Sequence, residues 1–474
     1  MTTNRYANYF KFLLVSAFLG GCQAVEFSQL TPKPTSFLAQ IIKPKDSAGK
    51  YIQTKANSEQ VEVVSKTESL GEVLSDTLAD KNTGSDFASA MKYALNSDPK
   101  IILQRRDVDA KLASIGYTEA QKDFQVTSTI YGGIEDITDN TKGIAVSLNA
   151  SRLLYDGGLI DAQVDAARYA AEAAKFRLVA TINERALRFG TYWIELEKYQ
   201  TLQKKIDSRL AVLDPLIEQL EKVADAGLGD LSKVTAAQRT VATIRVAETN
   251  IAEGLAQAKL DFLNAFGELE FDIAYDVDFV SGLLPSEVND DLAETAPLLL
   301  SLYSDYKASL TKVASIEAKD GFNVGFEARA MRPFAGSAAD SDESFGLVAR
   351  KTLFNSKTID SEKEEAVSRS AAISEEIRAT YREGVRAIRT SQQNIASMDK
   401  AIVLARKNAE ITAEEIIYLK QQLIIGGSTL DSVLSAEARL YEAEAKEINF
   451  LAEKRKSQLT IASALGLLSS GLEL

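Results

Sequence analysis

Across the six residues Leu153-Leu154-Tyr155-Asp156-Gly157-Gly158 the hydrophobic period of the chain changes from 2 to 3.6. Before them, Ile144, Val146, Leu148 and Ala150 alternate with Ala145, Ser147 and Asn149, as in a strand. After them, Ile160, Val164, Ala167, Ala171, Ala174 and Leu178 recur at helical spacing, and the run continues to Ala226. At ~1.5 Å per residue such a helix extends about 100 Å, more than one globular domain can cover. A weaker joint, Leu353-Phe354-Asn355-Ser356-Lys357, makes the same switch 199 residues later. Any fold for this chain must accommodate two strands that each feed a very long helix.

Other landmarks stay in step with the joints. Ala296-Pro297 echoes the bend at Asp98-Pro99, and Glu317 to Val324 aligns with Glu119 to Val126 at an offset of 198. Gly426-Gly427 breaks the second long helix as Gly227 and Gly229 break the first, and Ala464-Leu465-Gly466 matches Ala265-Phe266-Gly267. The chain is therefore read as an internal duplication of helix, β-hairpin, long helix and return helix. Repeat 1 covers 85–267, with strands at about 124–134 and 142–153 and long helices at 159–226 and 231–265. Pro215 marks an expected bend in the first of these helices. A connecting segment, 268–290, leads to repeat 2 at 291–466, with strands at about 322–332 and 344–353 and helices at 357–425 and 428–465; 467–474 reads as a tail.

Four strands cannot close a barrel, and an open sheet leaves backbone groups unpaired at its edges. In a bilayer open edges are not viable, because no water is there to pair them. Phe322, Val324 and Phe326 alternate with positions that include Glu327 and Arg329, the two-faced pattern of a membrane barrel. Three chains pooling their strands would make twelve. The long helices need neighbours along their length too, and frequent alanines (Ala162, Ala166, Ala170, Ala173, Ala174) allow close packing like staves. The expected fold class is mainly α with a small transmembrane β-barrel: a trimeric 12-stranded barrel continuing into an α-barrel.

Composition narrows the function. A net charge of −13 argues against nucleic acid as a partner, and the complete lack of histidine removes imidazole acid–base chemistry. One cysteine leaves no intrachain disulfide and no thiolate cluster, so neither a catalytic site nor a cofactor or metal is expected. That cysteine has an informative address. Arg5 and Lys11 precede the apolar run Phe12 to Leu19, and Leu19-Gly20-Gly21-Cys22 resembles a bacterial lipobox. Residues 1–21 thus read as a lipoprotein-type signal peptide with Cys22 as the acylated residue, and 22–84, with Pro32, Pro34 and Pro44, as an extended tether. Gln23 in place of aspartate implies sorting to the outer membrane in that resemblance.

The Leu-Tyr-Asp-Gly-Gly joint with Ala162-Gln163-Val164 resembles the outer-membrane efflux proteins of the TolC family. So do Gly427 to Ala436 with Arg439 and Leu440, and the closing Ala464-Leu465-Gly466; the resemblance spans both repeats, 85–468. It implies a homotrimeric channel-tunnel, with a barrel in outer-membrane lipid and an α-barrel in the periplasm. The tunnel's far end would meet a periplasmic adaptor and an inner-membrane pump. It also implies a periplasmic gate lined by aspartates, whose positions fall here on Ser432 and Ser435, with another gate carboxylate falling on Lys233. Asp431 stands next to them, so Asp431 and Lys233 are candidates to share the gate. Gly227, Gly229, Asp230, Gly426 and Gly427, where the long helices reverse, are the candidate adaptor contacts; Asp156, Gly157, Gly158 and Asn355 mark the strand-to-helix joints. The expected function is a passive exit duct for small molecules. The alternatives are the outer-membrane component of type I protein secretion and a periplasmic coiled-coil scaffold.

Overall fold

Pairing between β-strands that lie far apart in sequence joins the two repeats in the computed structural model. The structure describes residues 86–133, 143–226, 231–267, 277–285, 290–333, 342–352 and 356–474. In chain order these form α1 (Phe87–Asn96), α2 (Pro99–Glu119), a 3-10 turn (Ala120–Lys122), β1 (Gln125–Gly133) and β2 (Gly143–Tyr155). The 67-residue α3 (Leu159–Asp225) and the return helix α4 (Leu231–Phe266) complete the first repeat. A short α5 (Val277–Leu283) and a 3-10 turn (Asp290–Thr295) lead to α6 (Pro297–Ala318), β3 (Asn323–Pro333) and β4 (Asp342–Arg350). The 69-residue α7 (Ser356–Ile424), the return helix α8 (Leu430–Ala464) and α9 (Leu467–Gly471) follow. The chain is thus mainly α with one small sheet. Cys22, the signal segment and the whole tether lie outside the described residues. No described helix is long and apolar enough to cross a membrane.

The helix starts follow from local chemistry. Asp86 caps α1 by accepting a hydrogen bond from the Ser89 amide (3.1 Å). Asp98, with Pro99 after it, caps α2 by accepting from the Lys100 and Ile101 amides (3.0 and 3.2 Å). Its other oxygen accepts from Arg185 Nε on α3 at 2.9 Å, so one buried carboxylate both starts α2 and pins it to the long helix. Pro215 does not end α3, which remains helical through it. Ala211, whose carbonyl loses its partner there, is exposed like Pro215 itself, so water can take that oxygen.

The principal core lies where α1, α4 and the C-terminus meet the middle of α3. Trp193 packs edge-on against Phe87 (centroids 5.3 Å apart) and Phe266 (5.5 Å) and tilted against Phe262 (5.5 Å), and the last two rings stack at 4.6 Å. Residues 467–474, expected to be a tail, are part of this core: Leu468 and Leu472 are buried against it. The physical reason is Asn183 on α3. Its side-chain Oδ1 accepts from the Leu468 and Ser469 amides (3.0 and 3.1 Å), and its Nδ2 donates to Ser469 Oγ (2.9 Å), which caps α9 from outside. Gly466, at φ +74°, makes the turn that brings α9 there; a Cβ would meet Pro297 Cγ at 2.6 Å.

The long helices are held further along by half-buried charges. Glu195 on α3 meets Lys198 and, across to α8, Lys456. Burial pushes the Glu195 carboxyl up, but the hydrogen bonds and charges of the two lysines outweigh it and hold it below its usual 4.5. Because its folded value is the lower one, this group stabilises the fold above pH 4.5, and that contribution is lost as pH falls below it. The melting temperature of the parent should therefore fall more steeply between pH 5 and 3.5 than that of Glu195→Gln, by thermal circular dichroism. Parallel profiles would remove this pair from the acid response.

Candidate functional site

The sheet, in the order β1-β2-β3-β4, is antiparallel throughout. Residues directly opposite one another share a face. Gln125, Ser151, Glu327 and Gly346 lie along one row, and Thr127, Asn149, Arg329 and Ser344 along another. This face is polar, and Arg350 forks onto Glu327 across it (2.5 and 3.1 Å). The opposite face is built from Val126, Ala150, Ala328 and Phe345, then Phe326 and Leu347, then Ile130 and Val146. Ile130, Leu347 and Phe345 are 72%, 70% and 85% exposed, so the chain itself leaves this apolar face bare. Among the described residues β1 and β4 each pair on one side alone.

The first joint is a cap as well as a turn. Asp156 is buried and accepts from the Gly158 and Ile160 amides (2.9 and 2.7 Å), satisfying donors at the start of α3. Gly157 and Gly158 take φ +70° and +88°, which side chains resist. Just before them the β2–β3 register slips between Leu153 and Tyr155, a bulge that places Tyr155 opposite Val324. Asn355 of the second joint lies outside the described residues, with α7 beginning at Ser356.

At the far end α7 stops at Gly426, whose φ is +75°, and the Gly427 amide donates to the Gln422 carbonyl at 2.8 Å. Thr429 then caps α8: it accepts from the Ser432 amide (3.3 Å) and its hydroxyl meets that of Ser432 (2.8 Å). Asp431 stands in the first turn of α8, where a carboxylate favours the helix N-terminus. Ser435 is half-buried one turn on. Ile424 and Ile425, side by side at this turn, are 86% and 82% exposed. Lys233 falls in the first turn of α4, with its side chain outside what the structure describes; Gly227, Gly229 and Asp230 are outside it altogether.

The two helical hairpins end at different heights. Gln238 donates to Glu221 (3.2 Å) and Arg245 to Asp214 (2.9 Å), which registers α4 on α3 so that Lys233 stands beside the last turn of α3. Leu430 and Leu434 of α8, by contrast, cluster with Leu213, Leu216 and Ile217 of α3. From Ile217 to the end of α3 at Asp225 is about 12 Å, so the α3–α4 hairpin runs past the start of α8 by that much. Asp431 and Lys233 are therefore not level within one chain.

Above this offset lies a cluster of charges that the sequence reading passed over. Glu437 of α8, 2% exposed, accepts from Arg209 of α3 and Lys420 of α7, each at 2.8 Å. Glu444 accepts from Arg209 (3.1 Å) and Lys205 (3.0 Å). The signal was available: Glu437 stands on the buried stripe Leu434, Glu437, Tyr441, where a lone carboxylate has to find a cation. Through it three helices are tied together just above the α7–α8 turn. Removing one partner of such a pair costs about 3–5 kcal/mol. Glu437→Ala should lower the melting temperature by several degrees and speed proteolysis at the exposed turn around Ile424–Ile425, and Glu437→Gln should do less. A melting temperature equal to the parent's for both would remove the cluster as a tie.

No protein-family model matches this sequence, and no curated protein matches it. Solved structures do. CusC, a transmembrane channel, superposes with a TM-score of 0.70 at 14% identity, over 82% of this chain and 95% of its own. The outer membrane protein VceC of Vibrio cholerae gives 0.68 at 16% identity, over 80% and 95%. The outer membrane channel CmeC of Campylobacter jejuni gives 0.69 at 11% identity, over 82% and 90%. These superpositions, over most of both chains, identify the fold as that of the TolC-like outer-membrane channels.

Proposed function

We propose that three copies of this chain form an outer-membrane exit duct, a 12-stranded barrel continued by a periplasmic α-barrel. The duct passively conducts small molecules delivered by an inner-membrane pump through a periplasmic adaptor. The observation that carries this reading is the sheet: among the described residues it has one bare apolar face, one polar face and two free edges. In a bilayer a sheet of this kind is complete only when other strands take up its edges and lipid covers its outside. The similarity of fold to structures described as a transmembrane channel and an outer membrane channel supports it. Cys22 is the acyl anchor in this proposal, and the chain has no enzymatic role. The turn at Gly426 and Gly427, with bare Ile424 and Ile425, and the turn holding Gly227, Gly229 and Asp230 are its adaptor contacts.

Purified protein added to planar bilayers should give trimer-sized, steadily conducting pores. A monomer without conductance would exclude the duct and favour a scaffold. Lys233, Asp431, Ser432 and Ser435 form the periplasmic gate in this reading. The offset of the hairpins favours two separate levels of constriction over a direct Lys233–Asp431 pair within a chain. Asp431→Ala and Lys233→Ala should then each raise conductance and antibiotic leakage, with the double variant exceeding both. Conductance and leakage equal to the parent in all three would end the gate assignment.

A further inference from the structure

The two repeats place the same pair of side chains at the helix-side end of the sheet. The Arg152 guanidinium lies 5.0 Å from the centre of the Phe124 ring, and the Lys351 ammonium 5.2 Å from that of Phe322. Phe124 and Phe322 are equivalent positions, 198 apart, and Arg152 and Lys351 are 199 apart. Both pairs belong to the apolar face. Arg152 stands opposite Phe326, itself opposite Leu347, and Phe124 packs edge-on to Phe326 at 6.5 Å. Lys351 follows Ala349 by two residues, on the side where Ala349 faces Val324. The rings remain half open, Phe124 at 57% and Phe322 at 56% exposed.

The surroundings make these two cations unusual. In a chain of net charge −13, other cations of this rim have acids: Lys122 meets Asp161 (2.5 Å), Lys319 meets Glu362 (2.6 Å), and Arg350 meets Glu327 on the polar face. At the opposite end of the apolar face Arg332 meets Glu343 (3.4 Å). Among the described residues neither Arg152 nor Lys351 has a carboxylate within ion-pair distance. Each instead lies over an aromatic ring at the boundary of an apolar surface. A ring face attracts the cation but accepts few of its N–H bonds, which leaves donors free for an anion. A long cationic side chain whose stem lies on apolar surface at such a boundary carries its charge to the headgroup level of a bilayer.

We propose that Arg152 and Lys351, each on its ring, bind the phosphate of phospholipid headgroups in the leaflet at the helix-side rim of the barrel. This rests on the membrane-barrel reading above, in which a trimer carries six such pairs around its circumference. The two cations fix the depth of the barrel: apolar residues above them lie in acyl chains, and the helices below lie in water.

The test uses the full-length protein in nanodiscs of equal parts dioleoylphosphatidylglycerol and dioleoylphosphatidylcholine. Lipid retained after mild detergent extraction is counted by mass spectrometry. The parent should retain phosphatidylglycerol over phosphatidylcholine by roughly fivefold per cation. R152Q/K351Q should lose this enrichment, R152K/K351R should keep it, and Arg332→Gln at the far end should leave it unchanged. Enrichment absent in the parent, or kept by R152Q/K351Q, overturns the proposal. So does abolition by excess inorganic phosphate at constant ionic strength, which would mark a site for free phosphate. R152Q/K351Q should conduct like the parent in planar bilayers. Lipid enrichment in a parent that does not conduct would condemn the duct and not the belt; conductance without enrichment would do the reverse.

Discussion

Backbone amides and carbonyls along the outer edges of β1 and β4 need partners that the described chain does not supply. Everything about the sheet follows from that. Its four strands are already joined into one layer, because β2 of the first repeat pairs with β3 of the second. Further pairing can come only at the two ends of the layer, and the polar and apolar faces dictate what would lie on either side. A soluble domain would cover the apolar face with a helix. Here α2, α3, α6 and α7 all leave the sheet at one end, so no described helix lies across it.

The joints make that departure possible. At the first, Asp156 satisfies the starting amides of α3 while two glycines take backbone angles that side chains resist. The bulge just before them turns the strand as its hydrogen bonds end. Ion pairs such as Lys122–Asp161, from the 3-10 turn after α2 to the first turn of α3, and Lys363–Glu317, from α7 to the end of α6, tie the same elements together in both repeats. Each is exposed, where water and salt screen the attraction, so they set angle more than stability. Stability comes lower down, from the aromatic core around Trp193 and the charge tie at Glu437.

The most legible parts of the sequence were those that depend on local period. The strands, the four long helices and the stop at Gly426–Gly427 all follow from alternation, amphipathic spacing and helix-ending glycines, which act over a few residues. The capping aspartates could be read in the same way. Three features could not. Leu468 and Leu472 look like the end of a tail until Asn183, nearly three hundred positions away along the chain, is brought beside them. Arg209 and Glu437 become partners only when α3 and α8 pack. The difference in height between the two hairpins depends on the packing of α8 on α3, and neither helix length shows it.

The sequence by itself determined that this chain is duplicated, that each half joins a short two-faced hairpin to a helix of about 100 Å, and that imidazole chemistry is absent. Those are properties of period and composition, carried by each stretch of chain alone. Tertiary structure decided how the halves meet: β2 beside β3, the C-terminus under Asn183, the start of α8 short of the end of α3, and two cations set on equivalent rings. These depend on contacts between residues far apart in the chain. Their register is set by packing and pairing across elements, which no local pattern encodes.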